Sequence, residues 1–229
     1  MEATASDKQL FWSKVEEKRS LFNPEVPVVI EGRELGKSLD LQNNMNNCCT
    51  KTEQYATEYF TTPPARVVDI GSGMGANSIP MACSGAHVTG IDSSNQLLKI
   101  FQSLCKQRSC PSKNVRLCRG NLVTMPSYFG PYDLALAIDI LPFIPPADLK
   151  STMDKIHACL ADGGLFIGTI FTEGRNPTVI ELLEKLGAHF YPEGITFAQN
   201  LLKYSGFEVL ELEEREHGGF RFKARKISA

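Results

Sequence analysis

The feature that most constrains this chain is a regular alternation of short apolar runs and amphipathic segments, which begins after Pro63-Pro64. The apolar runs are rich in Val, Ile and Leu, which is typical of parallel strands covered by helices on both faces. The pattern predicts strands at residues 65–70, 87–92, 115–119, 132–140 and 164–171, with helices at 76–84, 94–107 and 146–160 between them.

The last third of the chain departs from this alternation. After helices predicted at 177–186 and 196–204, two runs with one polar and one apolar face follow at 207–212 and 220–225. A glycine-containing turn joins these two runs, so they are expected to form an antiparallel hairpin. The predicted fold class is therefore α/β, with a doubly wound, mostly parallel seven-stranded sheet that carries a C-terminal antiparallel hairpin.

Residues 1–60 are expected to form an extension, and residues 61–229 the main domain. Apolar residues recur at helical spacing over residues 8–19, which predicts a short amphipathic helix. Residues 24–47, with two prolines and an Asn-rich run at 43–47, are interpreted as irregular. Because this stretch precedes the first strand, its Asn-rich part is a candidate lid over the ligand-binding edge of the sheet.

The charge of the chain is nearly balanced. Its formal net charge is -2 over 229 residues, so no general attraction to nucleic acid or to an anionic membrane is expected. No apolar run reaches the roughly 18 residues that a membrane span needs. Near the C-terminus four basic residues are interpreted as the outer face of an edge strand, namely Arg221, Lys223, Arg225 and Lys226.

The chain has seven cysteines but no Cys-x-x-Cys pair and no histidine at metal-ligand spacing. Free thiols in a reducing compartment are expected, so we predict a cytoplasmic protein without a metal site. The oligomeric state stays open at this point.

The run Asp69-Ile70-Gly71-Ser72-Gly73-Met74-Gly75 follows the first strong strand, where open α/β sheets bind nucleotide-bearing cofactors. Its three glycines allow positive φ and close approach of a ligand to the backbone. Gly71-x-Gly73-x-x-Ala76 also satisfies the relaxed dinucleotide fingerprint, so the glycines do not decide between cofactors. A carboxylate at Asp69 faces an ammonium group favourably but opposes a pyrophosphate, whereas Asp92, which ends the second strand, suits the ribose of either cofactor.

These residues resemble the class I S-adenosylmethionine-dependent methyltransferases over roughly residues 55–226, with the Rossmann-like sheet of that superfamily. Within it, the chain looks like the tellurite-resistance TehB-like group. The likeness rests on three blocks, which are Val68 to Ser78, Gly85 to Asp92, and Phe220 to Lys226.

The resemblance implies S-adenosyl-L-methionine as cofactor and a set of residues around it. The methionine end would contact Asp69, Gly71, Ser72, Gly73 and Gly75, and the ribose would contact Asp92 and Ser93. Asn121 stands where the family often has an acidic residue for the adenine amino group, and the Leu122 amide would reach a ring nitrogen. Asp139 would lie beside the transferable methyl group.

The implied reaction is in-line methyl transfer to a small-molecule acceptor, although a protein acceptor is not excluded. Candidate catalytic residues are Asp139 and Arg175, and His189 and Tyr191 are further candidates that packing would equally explain. Two alternatives stay open at this stage. One is an NAD-dependent oxidoreductase, and the other is a non-catalytic module that binds S-adenosylmethionine.

Overall fold

The structure is a computed structural model. It describes residues 27–30, 33–37, 65–124, 130–172, 180, 184, 187–192, 194–215 and 219–228. Several predicted features lie outside these residues, namely the helix at 8–19, the Asn-rich run at 43–47, Arg175, and most of the helix at 177–186.

Nine strands are present in the described part of the chain, and they form two separate sheets. The smaller sheet is an antiparallel pair, β1 Pro27–Ile30 and β2 Arg33–Lys37. The expectation of irregular structure over 24–47 is therefore wrong for these residues. The larger sheet contains β3 Arg66–Ile70, β4 His87–Asp92, β5 Val115–Arg119, β6 Tyr132–Ala137, β7 Leu160–Ile170, β8 Phe207–Glu214 and β9 Phe220–Lys226.

The order of strands in the larger sheet is β5-β4-β3-β6-β7-β9-β8. The first five are mutually parallel, while β9 is antiparallel to both of its neighbours. The predicted seven-stranded, mostly parallel sheet with a C-terminal hairpin is thus confirmed. Because β9 inserts between β7 and β8, β8 is parallel to β7, and its carboxyl end lies at the same edge of the sheet.

Helices cover both faces of this sheet, as the apolar strands require. They are α1 Ser78–Cys83, α2 Asn95–Gln107, α3 Pro146–Cys159 and α4 Gly194–Tyr204. Strand side chains alternate between two buried clusters, so that Phe166 packs with α3 and α4 while its neighbours Leu165 and Ile167 pack with α1 and α2. The doubly wound arrangement follows directly from this alternation.

Strand β6 is shorter than the sequence pattern predicts. It ends at Ala137 rather than at residue 140, because Asp139 adopts a left-handed backbone with φ 55° and the chain turns into a short 3-10 segment at Leu141–Phe143. Residues 138–140, the last three of the predicted strand, therefore belong to a turn at the carboxyl edge of the sheet.

The interpretation of the C-terminal basic residues as the outer face of an edge strand is wrong. They lie on β9, which has β7 on one side and β8 on the other. Arg221 and Lys223 are buried and pair across the strand with Glu213 and Glu211, at 3.6 and 3.2 Å. Alternation alone did not distinguish a solvent-facing strip from a buried cross-strand ladder.

Among the residues that the structure describes, no helix combines the length and the apolar character needed to cross a bilayer.

Candidate functional site

Polar side chains collect at the carboxyl edge of the large sheet. Asp69 lies near the end of β3 and Asp92 ends β4, while Asp139 follows β6 and Thr169 lies near the end of β7. This is the edge at which open α/β sheets bind ligands. The topology therefore brings together residues that are far apart in the chain.

The glycine-rich turn is fixed to the neighbouring strand by its own backbone. The amides of Gly71 and Ser72 both donate to the Ile91 carbonyl oxygen on β4, at 2.8 and 3.0 Å. Gly71 and Gly75 have φ of 71° and 85°, which side chains other than glycine rarely adopt. The prediction that these two glycines adopt positive φ is thus confirmed.

The three glycines differ in the space around them. A Cβ added at Gly75 would lie 2.5 Å from the Phe101 ring, and one at Gly71 would lie 2.9 Å from Ile140. A Cβ added at Gly73 would meet nothing within 4 Å. Gly71 and Gly75 therefore allow the turn to pack against the protein, whereas Gly73 borders open space.

Asp69 is almost fully buried under this turn, 1% exposed, and its Oδ2 accepts a hydrogen bond of 2.6 Å from the Ser78 hydroxyl at the start of α1. The pKa of Asp69 is raised from 3.8 to about 6, chiefly by burial. The hydrogen bond from Ser78 opposes this rise, and the charge of Asp92 adds to it. A cation placed nearby would favour the ionised carboxylate.

Asp92 bridges two backbone segments at the end of β4. Its Oδ2 accepts from the Gly73 amide at 2.9 Å, and its Oδ1 accepts from the Ser94 amide at 2.8 Å. Burial raises the pKa of Asp92, and the amide bonds from Ser94, Gly73 and Ser93 oppose this rise. The side chain is thereby held against the glycine-rich turn, in the place predicted for a ribose-binding carboxylate.

Asn121 and Leu122 lie beside Asp92, because the Gly120 amide donates to the Asp92 carbonyl oxygen at 3.0 Å. The Asn121 side chain is exposed, and its Oδ1 accepts from the Val123 amide at 2.9 Å, while Leu122 is buried. This local turn presents both predicted adenine-side residues at the same edge as the glycine-rich turn.

Asp139 is held by two other strands. Its amide donates to the Thr169 Oγ1 at 2.6 Å, and its Oδ1 accepts from the Thr169 hydroxyl at 3.0 Å and lies 2.5 Å from the Arg215 Nη1. The following residue, Ile140, packs on Gly71, so Asp139 lies next to the glycine-rich turn. An ion pair thus stands at the edge of the sheet beside the glycine-rich turn.

His189 and Tyr191 follow a partly described segment and precede α4. The His189 amide donates to the Pro142 carbonyl oxygen at 2.7 Å. The Tyr191 ring stacks on Phe197 of α4, with centroids 3.9 Å apart and planes at 9°, and burial raises the pKa of Tyr191. Packing beneath the final helix therefore explains Tyr191 better than a role as proton acceptor does.

Three residues at the edge were not singled out from the sequence, namely Ser78, Thr169 and Arg215. A signal in the sequence could have identified Arg215, because it directly follows an alternating strand, much as Asp139 comes shortly after an apolar one. The strand order that brings Arg215 to the same edge was not readable from the pattern.

The arrangement suits a cationic nucleoside. Asp69 is buried beneath the glycine-rich turn and the partly buried Asp92 accepts from the Gly73 amide, so an ammonium or sulfonium group is favoured beside this turn and a pyrophosphate is opposed. Within the described residues, no group of three or more His, Cys, Asp or Glu side chains is placed to hold a metal ion. These residues therefore fit S-adenosylmethionine better than NAD.

Comparisons with known proteins agree with this electrostatic argument. A family model described as a methyltransferase domain matches residues 67–164, which run from β3 into the first half of β7. A ubiquinone biosynthesis O-methyltransferase of Marinobacter nauticus is 29% identical over 172 residues, covering 69% of this chain and 70% of the relative.

Solved structures are similar over almost the whole chain. Magnesium protoporphyrin IX methyltransferase from Synechocystis, with bound S-adenosylmethionine, has a TM-score of 0.71 and 16% identity, covering 99% of this chain and 100% of that one. A 1,6-didemethyltoxoflavin-N1-methyltransferase from Burkholderia thailandensis, with S-adenosylhomocysteine, has a TM-score of 0.66 and 17% identity, covering 96% and 87%. At these identities the structural likeness concerns the fold.

Proposed function

We propose that this chain, a class I S-adenosylmethionine-dependent methyltransferase, transfers its methyl group to a hydroxyl group of a small organic molecule. The observation that carries this proposal is the Asp139 carboxylate, which stands beside the glycine-rich turn at the end of β6. A hydroxyl group must lose its proton during methylation, so a proton acceptor at this place has a chemical purpose. The curated relative from Marinobacter nauticus is also named as an O-methyltransferase. The TehB-like subgroup stays a prediction.

Aromatic side chains beside Asp139 support an organic acceptor. The Phe143 and Phe171 rings meet edge to face with centroids 6.3 Å apart, and Phe171 stacks on Phe190 at 5.6 Å. Phe143 and Phe190 are only partly buried, so they offer apolar ring surface close to the ion pair. Such a surface suits a carbon skeleton better than an inorganic oxyanion.

In this proposal the cofactor residues take the roles that the sequence analysis assigned to them. Asp69, Gly71, Ser72, Gly73 and Gly75 surround the methionine end. Asp92 and Ser93 bind the ribose, Asn121 and Leu122 bind the adenine, and Asp139 lies on the methyl side. Asp92→Asn is expected to weaken S-adenosylhomocysteine binding at least tenfold, measured by calorimetry, with Asp154→Asn on the exposed face of α3 as control.

The chemistry at Asp139 follows from its position. S-adenosylmethionine, when bound, supplies a methyl group on a positively charged sulfur. The Asp139 carboxylate would accept the proton that the acceptor hydroxyl loses when its oxygen takes that methyl group and the demethylated cofactor is released. The partly exposed side of this carboxylate then returns the proton to water. Arg175, which lies outside the described residues, is proposed to contact the acceptor.

The test is methyl transfer from cofactor labelled in its methyl group to a panel of a catechol, a phenolic acid, an aliphatic alcohol, a thiol and an amine. The expected result is a labelled methyl ether from at least one hydroxyl compound, and a kcat at least tenfold lower for Asp139→Asn but unchanged for Asp154→Asn. Transfer only to the thiol or the amine would contradict the proposal. Cofactor binding with no transfer to any compound would favour a non-catalytic binding module.

Two broader proposals concern the rest of the chain. Residues 1–60 are proposed to form an extension that contributes to closure of the site. Deletion of residues 1–50 would test this through the affinity for S-adenosylhomocysteine.

A cytoplasmic location is proposed because the described cysteines are all free thiols, namely Cys83, Cys105, Cys110, Cys118 and Cys159. Fractionation of the native host would test it.

A further inference from the structure

Arg215 reaches the site from the last hairpin. It directly follows β8, whose carboxyl end lies at the same edge as those of β3, β4, β6 and β7. The Arg215 amide donates to the Gly219 carbonyl oxygen at 2.8 Å, and the Gly219 amide donates to the Thr172 Oγ1 at 2.9 Å. The base of the hairpin loop is therefore fixed to the chain just after β7.

The Arg215 guanidinium meets the Asp139 carboxylate at two points. Nη1 lies 2.5 Å from Oδ1, and Nη2 lies 3.4 Å from Oδ2. The Arg215 side chain is 15% exposed and that of Asp139 is 38% exposed, so the pair is shielded from water on the arginine side. Two-point pairing of this kind fixes the plane of a carboxylate as well as its distance.

Asp139 also needs to be held, because its backbone is in the left-handed region at φ 55°. A non-glycine residue persists in that region when its surroundings determine its conformation. The Thr169 hydroxyl contributes by accepting from the Asp139 amide and donating to Oδ1. Thr169 thus fixes the backbone of Asp139 and one carboxylate oxygen, while Arg215 contacts both oxygens.

We propose that Arg215 is a positioning residue that acts through Asp139, fixing its carboxylate in the orientation that receives the acceptor's hydroxyl proton. This inference rests on the proposed hydroxyl acceptor. It assigns a reaction-specific role to a residue 76 positions from Asp139 in the chain, which follows the edge strand β8 rather than one of the strands next to the glycine-rich turn.

The test is a set of variants assayed with a hydroxyl compound that the wild type methylates. Arg215→Gln is expected to lower kcat about ten- to a hundredfold, because a hydrogen-bonded charge partner of the carboxylate is lost. The dissociation constant of S-adenosylhomocysteine is expected to change less than about threefold, and Arg215→Lys is expected to restore part of the loss. Arg225→Gln is the matched control, since Arg225 forms an exposed pair with Glu208 on the same hairpin.

A double variant separates action through Asp139 from a general effect on folding. In an Asp139→Asn background, which keeps a residue that tolerates left-handed backbone, Arg215→Gln is expected to cause no further loss of kcat. A further tenfold loss in that background would overturn the inference, and so would an Arg215→Gln enzyme with wild-type kcat.

An NMR measurement tests the ion pair between Asp139 and Arg215 and needs no acceptor molecule. In the protein bound to S-adenosylhomocysteine, the two Nη groups of Arg215 are expected to give separate NMR signals that merge in Asp139→Asn. Signals that are already merged in the wild type, or that stay separate in Asp139→Asn, would overturn the inference. If the wild type methylates no hydroxyl compound, the proposed function fails, while this comparison still tests whether Asp139 fixes Arg215.

Discussion

The Asp69 carboxylate and the Ser78 hydroxyl lie 2.6 Å apart beneath the glycine-rich turn, joining the end of β3 to the start of α1. The hydroxyl donates to the carboxylate and so favours its ionised form, whereas burial favours the protonated form more strongly. The outcome is a carboxyl group whose pKa of about 6 lies within the range in which enzymes are assayed.

Cofactor binding is therefore expected to depend on pH. If the ionised Asp69 faces the ammonium group of S-adenosylhomocysteine, affinity should be constant above the pKa of about 6 and fall by up to tenfold per pH unit below it. Ser78→Ala should move this transition to higher pH, because the bond that lowers the pKa is lost. Calorimetry between pH 5 and 8 checks this, with the exposed Ser151→Ala as control. A transition at the same pH in Ser78→Ala would count against the role of Ser78.

The stability of the protein without cofactor should show the opposite trend. Asp69 has a folded pKa raised from 3.8 to about 6, so the folded state binds more protons than the unfolded state between these values. Its contribution to the free energy of unfolding is present below this window and is lost as pH rises through it, on the order of 2–3 kcal/mol. Urea unfolding of wild type and Asp69→Asn at several pH values checks this. A wild-type minus variant difference that does not vary with pH would rule it out.

Gly73→Ala should separate cofactor binding from folding. The added Cβ meets no protein atom within 4 Å but enters the space proposed for the cofactor. Its positive φ of 53° costs about 1–2 kcal/mol of stability, and Gly163→Ala, at φ 71° and also in open space, should cost a similar amount. Only Gly73→Ala is expected to weaken S-adenosylhomocysteine binding by tenfold or more, measured by calorimetry. Equal affinity of the two variants would contradict the proposed cofactor position.

The ion pairs between β8 and β9 should contribute differently to the free energy of unfolding, according to how deeply they are buried. Glu211→Gln is expected to lower the free energy of unfolding by about 1–3 kcal/mol, because the Lys223 ammonium, 7% exposed, loses its carboxylate. Glu208→Gln should change it by less than about 0.5 kcal/mol, since its partner Arg225 is exposed. Chemical unfolding measures both. If the two variants lose the same stability, burial does not decide the strength of these pairs.

The sequence by itself determined most elements of the large sheet and the glycine-rich turn. Strand and helix periodicity is a local property, so β4 was predicted at His87–Asp92 and α2 nearly to its observed bounds. The glycines at 71 and 75 were predicted for the same reason, because a positive φ is a requirement of the local backbone. The sequence also predicted that Asp69 and Asp92 lie at the same edge of the sheet, because both stand near the ends of strands and parallel strands end at one edge.

Only the tertiary structure decided what depends on strand order. The insertion of β9 between β7 and β8 buries Arg221 and Lys223, and it makes β8 parallel to β7, which brings Arg215 to Asp139. The left-handed turn at Asp139, which shortens β6, is held by Thr169 on another strand. Pairing between distant strands is selected by the burial of a whole sheet face, and an alternating pattern in one segment is compatible with several neighbours.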